Sequence, residues 1–81
     1  MKVFVTITIS LKEGMLDPEA RAIQQALANL GFRTEKLSTA RKFSILLEAS
    51  AQQAAEDQAR QMCERLLANP VIHRYTIEVE R

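Results

Sequence analysis

The sequence predicts a single α+β domain in which two amphipathic helices alternate with the strands of a mainly antiparallel sheet. Three observations carry this. The N-terminal segment alternates apolar and polar residues with period two. Two later segments repeat apolar residues at helical spacing between recognisable start and stop residues. The C-terminal segment returns to period two.

In the first segment Val3, Val5, Ile7, Ile9 and Leu11 alternate with Lys2, Phe4, Thr6, Thr8, Ser10 and Lys12. One face of this strand is therefore apolar, and Val, Ile and Thr suit a pleated surface. Lys12-Glu13-Gly14 ends it. Asp17 can cap the free N–H groups of a following helix, and Pro18 stands at its first position, where a missing donor costs nothing. Ile23, Ala26, Leu27 and Leu30 then share one helical face. Gly31 stops the helix, because glycine takes the left-handed conformation past a last turn.

The stretch from Phe32 to Ala49 reads as extended. Phe43, Ile45 and Leu47 alternate with Ser44, Leu46 and Glu48, and Leu37 anchors a polar stretch upstream. Ser38-Thr39-Ala40-Arg41 is expected to turn or bend. It lacks the Gly, Asn, Asp and Pro of a tight hairpin. Either two strands meet there through a looser turn, or one long strand bends.

Ser50 and Gln53 have the spacing of a capping box for the second helix. Ala55, Ala59, Met62 and Leu66 line one face, with Cys63 and Leu67 beside it, and Asn69-Pro70 is the stop. A last strand runs from about Ile72 to Glu80, with Tyr75, Ile77 and Val79 inward. The order strand, helix, one or two strands, helix, strand is that of a ferredoxin-like sandwich, with two helices on one face of the sheet. The other face carries Thr6, Thr8, Ser10, Ser44, Thr76 and Glu78, with apolar Phe4 and Leu46 among them.

A chain of 81 residues allows one domain, residues 1–81, with a thin core. Self-association is a natural supplement. The net charge of +1, from 11 basic and 10 acidic residues without a like-charge run, argues against nucleic acid or an anionic membrane as partner. An RNA-reading sheet would need aromatics on its open face, and Phe4 is the one expected there. Polar residues at every second position of the N-terminal segment exclude a signal-peptide core or a membrane span. A single cysteine excludes a disulfide scaffold, and a cytoplasmic location is expected.

Chemistry is sparse. Cys63 and His73 are the only Cys–His pair, and such a pair can make a thiol nucleophile. Cys63 stands among Met62, Leu66 and Leu67, where a cysteine serves as a small hydrophobe. One Cys and one His are too few for a zinc site. Gly14 and Gly31 are the only glycines, so no phosphate loop exists. The acids are scattered. No catalytic, cofactor-binding or metal-binding residue is assigned.

Two segments carry a resemblance. One is Leu11-Lys12-Glu13-Gly14-Met15-Leu16-Asp17-Pro18-Glu19, continued by Arg21 to Leu27 and Leu30-Gly31-Phe32. The other is Met62-Cys63-Glu64-Arg65-Leu66-Leu67-Ala68-Asn69-Pro70-Val71-Ile72, then Tyr75 and Ile77-Glu78. Together they resemble the PurS family, the small subunit of phosphoribosylformylglycinamidine synthase, over essentially the whole chain. The resemblance implies a non-catalytic subunit of de novo purine biosynthesis. It would join a glutaminase subunit to an ATP-dependent synthetase subunit and support ammonia transfer between them. It implies a homodimer or homotetramer that binds no cofactor itself, while the complex uses ATP, Mg and glutamine.

Ala20 stands where the family commonly has Gly, and Ser38-Thr39-Ala40-Arg41 where it tends to have Arg-x-Gly-Lys. No partner contact is therefore assigned to that segment. Partner contacts are expected at Lys12, Asp17, Pro18, Asn69 and Pro70. Four of these also serve as helix start and stop signals, and Lys12 alone has no local structural role. A small-molecule-sensing regulatory domain of the same architecture is the alternative function, and an enzyme built on Cys63 and His73 a third.

Overall fold

The computed structural model describes residues 1–80. Its elements are β1 (Lys2–Leu11), α1 (Pro18–Asn29), β2 (Ala40–Glu48), α2 (Gln52–Met62) and β3 (His73–Glu80), with a π-helical turn over Cys63–Leu67 prolonging α2. The three strands form one antiparallel sheet in the order β2-β1-β3. This is the expected β-α-β-α-β layout, with β1 at the centre because it alone offers an uninterrupted apolar face. Val3, Val5 and Ile7 are fully buried and Ile9 nearly so. Ile7 sits between Phe43 on β2 and Ile77 on β3.

The helix α2 lies on this face through small residues. Ala55, Ala59 and Cys63, spaced four apart, are fully buried and join the valines and isoleucines of β1 in one core cluster. The expected apolar stripe placed Leu66 inward. It is instead 83% exposed. The amide of Ala68 donates to the carbonyl of Cys63 at 2.9 Å, an i→i+5 bond that widens the last turn. This rotates Leu67 and Ala68 toward the core and Leu66 out. The Ser50–Gln53 capping box also does not form. Ala51 is the N-cap and makes no side-chain bond, so Gln53 falls at the second helical position and donates to Asp57 instead.

The two helices differ in what they cover. α2 packs on β1 and β3, whereas α1 makes no comparable contact with the sheet. The expectation that both helices lie over the sheet thus holds for α2 and not for α1. Ile23, Leu30 and Phe32 are consequently exposed by 40%, 72% and 61%. The helix is nevertheless well built. Its C-terminus closes in a Schellman motif, with Phe32 N–H donating to the Leu27 carbonyl at 2.8 Å and Gly31 N–H to Ala28 at 3.0 Å. Gly31 takes φ +97° to do so. Gly31→Ala is expected to lower stability by about 1–2 kcal/mol in urea unfolding, because a Cβ is disfavoured in that conformation.

Between α1 and β2 no strand forms. Residues 32–39 run irregularly back along the helix, held where Gln24 Nε2 donates to the Thr34 carbonyl at 3.0 Å. The segment is neither a hairpin nor one long bent strand. β2 simply begins at Ala40, opposite Ser10, where pairing with β1 becomes available. On the open face of the sheet Phe4 and Leu46 stand opposite each other, each about half exposed.

Candidate partner-binding site

The five residues singled out in the sequence lie on two segments that the sheet brings to one end of the molecule. The pairing of Leu11 with His73 places the loop after β1 beside the turn before β3. Lys12 N–H donates to the Ile72 carbonyl at 2.9 Å. The Lys12 Nζ donates to the Pro70 carbonyl at 2.7 Å. Lys12 therefore has a structural role that no local pattern reveals, since its partner lies 58 residues away.

The turn at Asn69 is self-contained. The Asn69 Oδ1 accepts from Val71 N–H at 3.0 Å, an Asx turn of the kind that asparagine supplies. Its carbonyl accepts from His73 N–H at 2.7 Å, and its own N–H donates to His73 Nδ1 at 2.9 Å. His73 thus acts as an acceptor inside the turn. On the other segment Met15 N–H donates to the Lys12 carbonyl at 3.2 Å, closing a turn in which Gly14 takes φ +82°.

Asp17 is used on both oxygens. Oδ1 accepts from Ala20 N–H at 3.0 Å and Oδ2 from the Thr39 hydroxyl at 2.8 Å. It caps α1 as expected, and Pro18 occupies the first turn. The second bond ties the base of α1 to the start of β2. Thr39 was not singled out in the sequence. An N-cap aspartate leaves one oxygen free for another donor, but nothing local says which residue supplies it.

The Ala20 amide first, and the Thr39 hydroxyl second, hold the Asp17 carboxyl below its usual value. A depressed folded-state pKa contributes stability at pH above the unfolded value, and that contribution is lost as pH falls through the folded value. On acidification the parent is expected to lose stability from the ordinary aspartate range downward. In Asp17→Asn that part of the loss should be absent, as thermal melts across pH 2–6 (roughly the carboxylate range) would record.

An open cleft of about 370 Å³ lies between the loop after β1 and residues 36–39, lined in part by Lys12, Asp17, Lys36, Thr39 and Arg74, and the turn at Asn69-Pro70 does not line it. On the segments joined by the Lys12–Pro70 bond, Leu16 and Val71 are 70% and 73% exposed. The end of the sheet is thus a locally braced surface bearing apolar side chains in water and three cations. Cys63 lies away from water in the core, and burial pushes its thiol pKa up. That is the reverse of what a nucleophile needs. No helix among the described residues is long and apolar enough to cross a membrane.

The sequence model of the PurS family, described as phosphoribosylformylglycinamidine (FGAM) synthase, matches residues 4–81. The chain belongs to the PurS family. It is 44% identical over 77 residues to the phosphoribosylformylglycinamidine synthase subunit PurS of Methanocaldococcus jannaschii, covering 94% of this chain and 93% of that one. To the Archaeoglobus fulgidus subunit it is 50% identical over 72 residues, covering 88% and 90%. The crystal structure of Methanocaldococcus jannaschii PurS superimposes with a TM-score of 0.87 at 40% identity, over 98% of this chain and 96% of that one. Bacillus subtilis PurS gives 0.87 at 34% identity, over 98% and 99%. The same fold recurs at 23% identity in a chain of PurLQS from Thermotoga maritima, with a TM-score of 0.88 over 99% of each chain.

Against this background the placement of α1 off the sheet is a property of the PurS fold, since neighbours of 34–40% identity superimpose over nearly their whole length.

Proposed function

We propose that the chain is a non-catalytic assembly subunit of FGAM synthase, joining the glutaminase subunit to the ATP-dependent synthetase subunit in the cytoplasm and supporting passage of ammonia between them. The observation that carries this reading is the family match over residues 4–81, together with relatives of this length that are named as subunits of that synthase. ATP, Mg and glutamine are then handled by the partners, and this chain binds none of them.

The braced end of the sheet is the surface we assign to a partner, with Lys12, Asp17, Pro18, Asn69 and Pro70 as its framework. Exposed Leu16 and Val71 beside them support the assignment, because apolar residues on a rigid rim favour protein contacts. The chain further acts as a homodimer or homotetramer.

Reconstitution tests the reading. With all three subunits present, glutamine is expected to drive FGAM synthesis, and omitting this chain should abolish the glutamine-dependent rate while leaving the glutaminase and synthetase folded. An undiminished rate without the chain would remove the assembly role.

A further inference from the structure

Three cations line the cleft beside the loop after β1. Lys12 comes from that loop, Lys36 from the segment before β2 and Arg74 from the start of β3. Two of the three are held in place. Arg74 stands opposite Ser10 in the β1–β3 ladder, and its Nε donates to the Ser10 hydroxyl at 3.1 Å. The two Nη groups are left for an outside acceptor, and they present the fork that suits a carboxylate. Lys12 Nζ gives one of its three donors to the Pro70 carbonyl and keeps two.

The chain does not neutralise this charge itself. Among the described residues, ion pairs join Met1 to Glu48 and Arg60 to Glu56 and Asp57, and none involves the three cations. Asp17 also lines the cleft. Its oxygens accept from the Ala20 amide and the Thr39 hydroxyl, so its charge serves the positive end of α1. Glu13, the other acid of the lining, is exposed and pairs with none of the three.

The lining is also partly apolar. Met15 and Leu37 contribute to it, and Met15 is 43% exposed. A free inorganic anion would use the cations and leave these side chains in water. A peptide that carries acidic and apolar residues together would use both.

We infer that the cleft seats an acidic segment of one of the two larger subunits. A carboxylate lies in the fork of Arg74 with the ammonium groups of Lys12 and Lys36 around it, and an apolar neighbour rests against Met15 and Leu37. This rests on the reading of the chain as an assembly subunit. It adds Lys36 and Arg74 to the residues that meet a partner.

The test measures binding of the full chain to the cognate glutaminase and synthetase by biolayer interferometry, with each subunit alone and both together. The double variant Lys36→Glu, Arg74→Glu is expected to bind about a hundredfold more weakly, since each lost charge pair is worth about tenfold or more. Lys36→Glu alone should lose about tenfold, and it leaves the sheet untouched because residue 36 precedes β2. Circular dichroism checks that each variant is folded. Arg65→Glu makes the same change of charge away from the cleft and should alter affinity less than about twofold. Raising salt from about 0.1 to 1 M shortens the screening length from about 10 to 3 Å, and this should weaken binding of the parent far more than that of the double variant.

A parent chain that binds neither subunit would overturn the assembly reading and the cleft with it. Parent binding that the Lys36 and double variants leave intact, or that Arg65→Glu weakens equally, would overturn the cleft alone. So would saturable NMR shifts at Lys36 and Arg74 when the isolated chain is titrated with inorganic phosphate, which would assign the cleft to a small anion.

Discussion

Ile7→Ala is expected to destabilise the chain by about 3–4 kcal/mol, within the range found when a large aliphatic side chain is removed from a closed core. Ile7 has no exposed surface. It stands at the middle of the central strand, between Phe43 and Ile77, so neither neighbouring strand can collapse into the space without breaking its own register. Single domains are held by only about 5–15 kcal/mol in total, and short ones by less. The variant should therefore unfold at a much lower urea concentration, with the slope of the transition unchanged. Leu46→Ala is the control. Leu46 lies on the open face of the same sheet and is 52% exposed. Its truncation should cost under about 1 kcal/mol, because little apolar area returns to water.

Ala59→Glu should have a larger effect still. Ala55, Ala59 and Cys63 let α2 approach the sheet closely, and Ala59 is fully buried. No buried polar or charged side chain exists among the described residues, so the new carboxylate would have no partner. An uncompensated buried charge costs about 3–5 kcal/mol, and the longer side chain would also force helix and sheet apart. Circular dichroism is expected to show a largely unfolded chain at 25 °C (roughly the reference temperature of these energies). Gln61→Glu, two residues later on the exposed side, should leave the spectrum unchanged. If Ala59→Glu folded normally, α2 would not be seated as described.

Much of this architecture was legible in the residues, and the exceptions share a cause. β1 and β3 follow from strict alternation, because a period of two leaves each side chain one choice of face. Asp17, Pro18 and Gly31 mark α1 to within a residue, since capping and left-handed backbone are local chemistry. What was not legible depends on partners distant in sequence. The periodicity of α1 shows that Ile23, Leu27 and Leu30 seek cover, but the same stripe would serve against its own sheet or another chain's. The π turn at Cys63 has no residue signature of its own, and it moved Leu66 from the expected core to the surface. Ser50 and Gln53 have the right spacing for a capping box, yet the helix started one residue late.

The site shows the same division. Asp17, Pro18, Asn69 and Pro70 were singled out as motif positions, and each also carries a local signal as a helix start or stop. Lys12 was singled out through resemblance, and its bond to the Pro70 carbonyl supplies a structural reason no spacing rule could give. Thr39 was missed, although its hydroxyl ties the base of α1 to the start of β2. The residues that connect segments are thus those whose partners become visible only in three dimensions.

The role proposed for the chain is to join two larger subunits. Its most direct test is size-exclusion chromatography of the chain with the cognate glutaminase and synthetase, in the presence of glutamine, ATP and Mg. One peak containing all three polypeptides is expected, with loss of that peak when this chain is left out. A correctly folded chain eluting apart from both larger subunits under those conditions would contradict it.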